Sequence, residues 1–298
     1  MDAVLTRLAE DSIGAGTVSK EFSQNLAKYV GKRSGISLRS YGHALLAAFR
    51  ALDLEHGSRI GLSALAPVFV YNMITQAGLT PVRVDTDRQL PVLPSPLNYD
   101  YEALSLSAVY VDSRLGYVAD MDNFRQLQVP IIEDVSEGLG GHTGTAGVGS
   151  FGDMAVVAME PEHIITAGGG AVVLTSNTRR VANLTALVDE RIGEPPLPDM
   201  NAALGITQLK QLESFIDRRR EIAARFVKTV QRGKYRVPLQ GGEGDNVFFA
   251  LPVRVDGSPR EVEKYARSHG VTARRAFTDI GFSPDDPQVD EASPEVPA

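Results

Sequence analysis

The 298-residue chain has no cysteine, so disulfides, thiolate metal sites and cysteine-ligated iron–sulfur clusters are excluded. It also lacks an apolar run of membrane-spanning length and a secretory leader pattern; the expectation is a cytoplasmic protein with no membrane partner. Positive charge is not in excess. With 30 Lys+Arg against 37 Asp+Glu, the net charge of -7 disfavours nucleic acid and anionic lipid as partners. The five histidines, His43, His56, His142, His163 and His269, show no metal-ligand spacing, and no metal site is expected. Lysine is scarce and unevenly placed: there are 7 against 23 arginines, and none between Lys32 and Lys210. A drift of surface positions to arginine accounts for a general shortage. Guanidinium cannot form an imine, however, so lysine-based covalent chemistry is excluded from that span.

What is present is ordinary for a globular protein, with 43% apolar and 22% charged residues. LTRLAEDSI and SKEFSQNLAKYVGKR carry apolar residues at helical spacing. ISLRSYGHALLAAFRALDL reads as a short strand, a turn with Gly42 and an apolar helix. RIGLSALA, TPVRVD, LSAVYVD, VPIIED, MAVVAM and AVVLTS then read as strands, with helices at VYNMITQAG and MDNFRQLQ. Short apolar strands alternating with helices predict a mainly parallel sheet covered on both faces, an α/β fold. RQLPVLPSPLNYD is expected to be an exposed loop. AALGITQLKQLESFIDRRREIAARFVKTV reads as one long helix, NVFFALPVRV and VTARRAF as strands, and SPREVEKYARSHG as a helix. The expected organisation is a large α/β domain over 1–200 and a linker helix with a small α+β domain over 201–282. The segment 283–298, with four prolines, five acids and no base, is expected to be a disordered tail. GVGSFG at 147–152 matches GxGxxG, but no acid follows about 20 residues on, so dinucleotide binding is not expected.

In this order and spacing, SKEFSQNLAKYVG, GHALLAAFRALDL, AGLTPVRVD, ADMD, IIEDVSEGLGG, GSFGD, ITAGGGAVVLTSN and NAALGITQLKQLESFIDRRREIA resemble the DegT/DnrJ/StrS family of sugar aminotransferases. The resemblance spans nearly the whole chain. It implies a fold-type-I, three-layer α/β/α large domain, a small domain lacking its final elements, and a pyridoxal or pyridoxamine phosphate (PLP or PMP) cofactor. It further implies a nucleotide-linked sugar as ligand, and a homodimer or a heterodimer with an active paralogue.

Under that resemblance the site residues fall as follows. Asp134 matches the carboxylate that pairs with the cofactor's pyridine nitrogen and keeps it protonated; the alternative is an aspartate that ends a strand and caps the next turn. Glu137 stands near the cofactor's ring oxygen, where an acid repels a phenolate. Tyr41, Gly42 and His43 match a Ser-Gly-Thr phosphate cup at a helix N-terminus; Gly42 is kept and both hydroxyl residues are lost. Ala158 replaces a phosphate-binding serine, with Glu160 and Glu162 close in sequence. Pro67 replaces the aromatic that stacks on the ring, leaving Phe69 or Tyr71 as the expected substitute. His163 occupies the place of the Schiff-base lysine. In the family's sugar 3-dehydratases, a histidine there acts as a general base with PMP; otherwise it holds a loop. Three functions follow: a non-catalytic homologue that binds or regulates a partner, a PMP-dependent dehydratase of a nucleotide-keto-sugar using His163, or, as the weakest, ordinary transamination, which needs a lysine from outside the Lys32–Lys210 span. Arg218, Arg219 and Arg220 are expected on a solvated helix face.

Overall fold

The computed structural model describes residues 2–144, 146–188, 195–233, 235–238, 244–255 and 257–280; the acidic segment 283–298 lies outside them. Two amphipathic helices, α1 (Asp2–Ala9) and α2 (Thr17–Val30), open the chain. Gly31, at φ 82, ends α2 in the left-handed conformation that only glycine adopts without cost. There follow β1 (Ser34–Leu38), α3 (Tyr41–Arg50), β2 (Arg59–Ser63), α4 (Val68–Gln76), β3 (Thr80–Val84), β4 (Ala108–Asp112), α5 (Met121–Phe124) and β5 (Ile131–Asp134). A small antiparallel pair, β6 (His142–Thr143) and β7 (Ala146–Gly147), precedes β8 (Met154–Ala158), β9 (Ala171–Thr175) and α6 (Thr178–Ala186). The remaining elements are α7 (Asp199–Leu209), α8 (Leu212–Val230), β10 (Gly244–Asp245), which pairs with β6, and α9 (Pro259–Ser268).

The seven-stranded sheet has the order β1-β9-β8-β5-β4-β2-β3. Its pairs are parallel from β8 through β5, β4 and β2 to β3, and β9 runs against both of its neighbours. The strands are apolar on both faces, as a sheet covered on both sides requires. In β8, Met154, Val156 and Ala158 join the core formed with Leu45 and Phe49 of α3, Ile74 of α4 and Leu184 of α6. The alternate residues Ala155 and Val157 join the opposite core, with Phe22 and Leu26 of α2, Ala202 of α7 and Ile216 of α8. This is the expected three-layer arrangement.

Several segments differ from expectation. The long helix breaks at Lys210–Gln211 into α7 and α8, and α7 packs on α2: a Cβ on Gly205 would lie 2.7 Å from the Phe22 ring. Residue 200 itself lies in the first turn of α7. The proline-rich loop has no regular structure, but its centre is not exposed, since Val92 and Leu93 enter the core and the Tyr101 hydroxyl bonds the Pro94 carbonyl. NVFFALPVRV is not a strand. The Asn246 side chain takes the Phe248 N–H, and Arg219 of α8 takes the Phe248 and Phe249 carbonyls that a ladder would need. Arg219 is thus turned inward rather than solvated, whereas Arg218 pairs with Glu221 on the surface. VTARRAF forms no strand either. Among the described residues no helix is long and apolar enough to cross a membrane.

The entry to α2 depends on a residue far along the chain. Asp199, buried at the start of α7, accepts N–H bonds from Gly16 and Ser19 at 2.8 Å each and from Val18 at 3.2 Å. These are the donors a helix start leaves unpaired. Asp199→Ala should cost about 2–3 kcal/mol, read from the urea midpoint, because it strands buried donors. An unchanged midpoint would show that water replaces the carboxylate.

Candidate functional site

The parallel strands end along one edge, where an open α/β sheet places its ligands. Neighbouring β4 and β5 both end in buried aspartates, Asp112 and Asp134, which are paired in register. A buried carboxylate needs donors or a counter-charge, and these two are served very differently.

Asp134 is fully served. Its Oδ2 accepts the hydroxyls of Tyr41 at 2.5 Å and Tyr110 at 2.9 Å, and its Oδ1 accepts the Ser136 N–H at 3.0 Å and hydroxyl at 2.5 Å. The Ser136 oxygen in turn accepts the Ala158 N–H at 2.8 Å, tying the ends of β5 and β8 together. Tyr41 reaches Asp134 from the first residue of α3, and Tyr110 from within β4. Burial, reinforced by the Asp134 charge, pushes both phenols well above their usual range, so both remain donors.

Asp112 is not served. It is 5% exposed, and among the described residues neither carboxylate oxygen has a hydrogen-bond partner. Burial, opposed by Arg114 and reinforced by Asp134 and Glu137, raises its carboxyl to about 7. Glu137 accepts the Leu115 N–H at 2.5 Å and lies 3.7 Å from Arg114. Burial raises its carboxyl as well, against the pull of Arg114 and that N–H. Arg114 also makes a two-pronged bond to Asp279, at 3.0 and 3.3 Å, and lies 5.6 Å from the Phe277 ring. The Asp279 carbonyl accepts the Val68 N–H at 2.9 Å, and Ile280 bridges to Pro67. The segment 277–280 is thereby strapped between the start of α4 and Arg114.

The remaining candidates are placed as follows. Gly42 lies in the first turn of α3 rather than in a preceding turn, and the His43 N–H is capped by Ser40 at 3.4 Å. Pro67 precedes α4; Phe69 lies 5.6 Å from the Tyr41 ring, while Tyr71 points into the core and bonds the Ser63 carbonyl. Ala158 ends β8 in the core. His163 sits in the turn after β8. Its Nδ1 accepts the Glu160 N–H at 3.0 Å, and the His163 backbone N–H returns to the Glu160 carbonyl. Burial lowers its pKa, against the pull of Asp134, Glu162 and Glu160. With Nδ1 accepting, the neutral ring carries its proton on Nε2. Lys32 spends its ammonium on the Ser150 and Gly152 carbonyls, and the glycine-rich loop at 147–152 turns its Gly149 and Gly152 N–H groups to Glu133, not to a ligand. Among the described residues no cluster of three or more His, Asp or Glu side chains is placed to hold a metal.

Tyr110, Asp112, Arg114, Ser136 and Asp279 were not singled out from sequence. Two adjacent apolar strands that both end in Asp (YVD and IIED) were the available signal for Asp112. Nothing local in sequence joins Arg114 to Asp279, 165 positions apart.

A model of the DegT/DnrJ/EryC1/StrS aminotransferase family matches residues 1–284. The chain is 24% identical over 256 residues to the UDP-4-amino-4,6-dideoxy-N-acetyl-beta-L-altrosamine transaminase of Campylobacter jejuni, covering 79% of this chain and 68% of that protein. It is 24% identical over 296 residues to the GDP-perosamine synthase of Caulobacter vibrioides, covering 89% and 77%. Of solved structures, E. coli GDP-4-keto-6-deoxy-D-mannose-3-dehydratase with bound hydrated PLP superposes with a TM-score of 0.81 at 20% identity, covering 94% of this chain and 82% of that one. DesV of S. venezuelae, in complex with a ketimine intermediate, gives 0.82 at 22% identity, covering 91% and 77%. These superpositions establish a fold-type-I architecture for the chain.

The residues present do not fit a pyridoxal ring. Both Asp134 oxygens are already engaged, Oδ2 by two phenols and Oδ1 by the Ser136 N–H and hydroxyl. Glu137 presents an acid, Ser40 consumes a helix-start N–H, and no lysine lies between Lys32 and Lys210.

The Asp112 carboxyl titrates near 4 in an unfolded chain and near 7 in the fold. Between those values the folded state holds an extra proton, so stability falls as pH rises from about 4 through about 7 and levels off above. Asp112→Asn removes the penalty. The variant should exceed the parent in stability at pH 8, by up to about 4 kcal/mol, with the gap closing toward pH 4. Urea unfolding at both pH values measures this; a gap independent of pH contradicts it.

Proposed function

The chain belongs to the DegT/DnrJ/EryC1/StrS aminotransferase family, and from that premise we propose that it is a member without transaminase activity, acting in nucleotide-sugar metabolism as a binding or regulatory subunit. The observation that carries this reading is the saturation of Asp134 by the protein's own donors. A carboxylate with four internal donors has little to gain from a pyridinium, and an imine-forming amine is missing from the surrounding sequence. The relatives act, by their names, on UDP- and GDP-linked sugars, which makes a nucleotide-linked sugar the ligand class. A second copy of the chain or an active relative is the natural partner, and a cytoplasmic setting goes with such ligands.

A second reading, a PMP-dependent dehydratase with His163 as base, draws on the histidine itself and on the likeness in fold to a sugar 3-dehydratase. The Glu160 N–H on Nδ1 weighs against it. Proton abstraction at Nε2 requires the other tautomer, and so the loss of that bond.

Titration of the purified protein with PLP and with PMP, by absorbance and calorimetry, separates the readings. The expected result is no aldimine band with PLP and no binding heat with either compound. Tight PMP binding without an aldimine band supports the dehydratase, and turnover of a nucleotide-keto-sugar sinks the first reading. His163→Lys alone should still show no aldimine band, because Asp134 remains bonded to the protein's own phenols and does not hold the ring.

A further inference from the structure

A pocket shaped around a bound ring leaves a void when the ring is absent, and voids are costly unless a side chain fills them. A pyridoxal ring is held in proteins by a carboxylate at its ring nitrogen, and aromatic side chains offer it a face. Here one residue of the chain makes both kinds of contact. The Tyr41 hydroxyl donates to Asp134 Oδ2, and its ring lies against Phe69 at 5.6 Å with an interplanar angle of 37°. We propose that Tyr41 is a built-in substitute for the cofactor ring, filling its place and excluding it. The proposal rests on the reading of this site as lacking transaminase chemistry, and it adds which residue keeps the cofactor out and what supports the fold in its stead.

The surroundings are arranged for this occupant. A Cβ on Gly42 would lie 2.9 Å from Phe69 Cζ, so the glycine lets that ring lie against the start of α3, beside Tyr41. Tyr110 supplies a second phenol to the same Asp134 oxygen, 3.4 Å from the Tyr41 hydroxyl, leaving no lone pair aimed at a further donor. The Val68 N–H bonded to the Asp279 carbonyl, with the bridge from Pro67 to Ile280, fixes the start of the helix that carries Phe69.

Tyr41→Ala empties the proposed place, and 3-hydroxypyridine, a bare ring with the cofactor's nitrogen and phenolic oxygen, probes it. Tyr41→Ala is expected to lower Tm by about 5 °C or more. Saturating 3-hydroxypyridine should restore part of the loss and bind one-to-one by calorimetry, while the parent binds neither it nor PLP. A variant that melts like the parent, or is not rescued, while the parent still binds no PLP, overturns this proposal alone. Binding of PLP by the parent overturns both the proposal and the reading beneath it. Should Tyr41→Ala not fold, the NMR resonance of the Tyr41 ring in the parent, assigned by comparison with Tyr41→Phe, decides. A resonance unmoved by PLP agrees with the proposal, and one that is displaced or broadened overturns it.

Discussion

The edge of the sheet is organised by one buried carboxylate. Asp134 ends β5 inside the protein, where an ionised group without partners is costly by several kcal/mol. Its four donors come from the start of α3, the middle of β4 and the turn after β5, and Ser136 carries the connection on to β8. Four separate elements thus meet at a single side chain. In a protein that binds a cationic ring at this point, part of that demand is met by the ligand. Here all of it is met from within.

The groups around Asp134 extend the same logic. Asp112, Glu137 and Asp279 place three carboxyls around one guanidinium, Arg114, and Asp134 adds a fourth acid beside Asp112. An incoming phosphate would meet acids at close range, where like charges 4 Å apart repel by about 4 kcal/mol at an effective dielectric of 20. Asp112 relieves the crowding by holding its proton to about pH 7. His163, with Nδ1 accepting from Glu160, is oriented by its own turn.

Much of this was legible in sequence. The alternation of short apolar strands with helices specified a covered parallel sheet, because an α/β sheet declares itself by unbroken apolar strands. The missing lysine, the acid at Glu137 and the loss of hydroxyls around Gly42 were read directly. Asp134 ends β5, and its Oδ1 accepts the Ser136 N–H of the turn that follows. What sequence did not disclose depends on contacts between distant residues. Tyr41 read as a lost hydroxyl residue of a helix start; only packing showed that its phenol crosses to β5, 93 positions away. NVFFALPVRV has strand composition, yet Arg219 and the Asn246 side chain take its backbone groups. The break between α7 and α8 follows from α7 docking on α2 through Gly205, a tertiary preference that helical periodicity does not record.

The central claim is that the protein's own phenols, not a cofactor, satisfy Asp134. A crystal structure of the protein grown with excess pyridoxamine phosphate tests it most directly. The account predicts the Tyr41 and Tyr110 hydroxyls on Asp134 Oδ2 and the Tyr41 ring against Phe69, as without the compound. A pyridine ring over Asp134, with Tyr41 swung away, would contradict it.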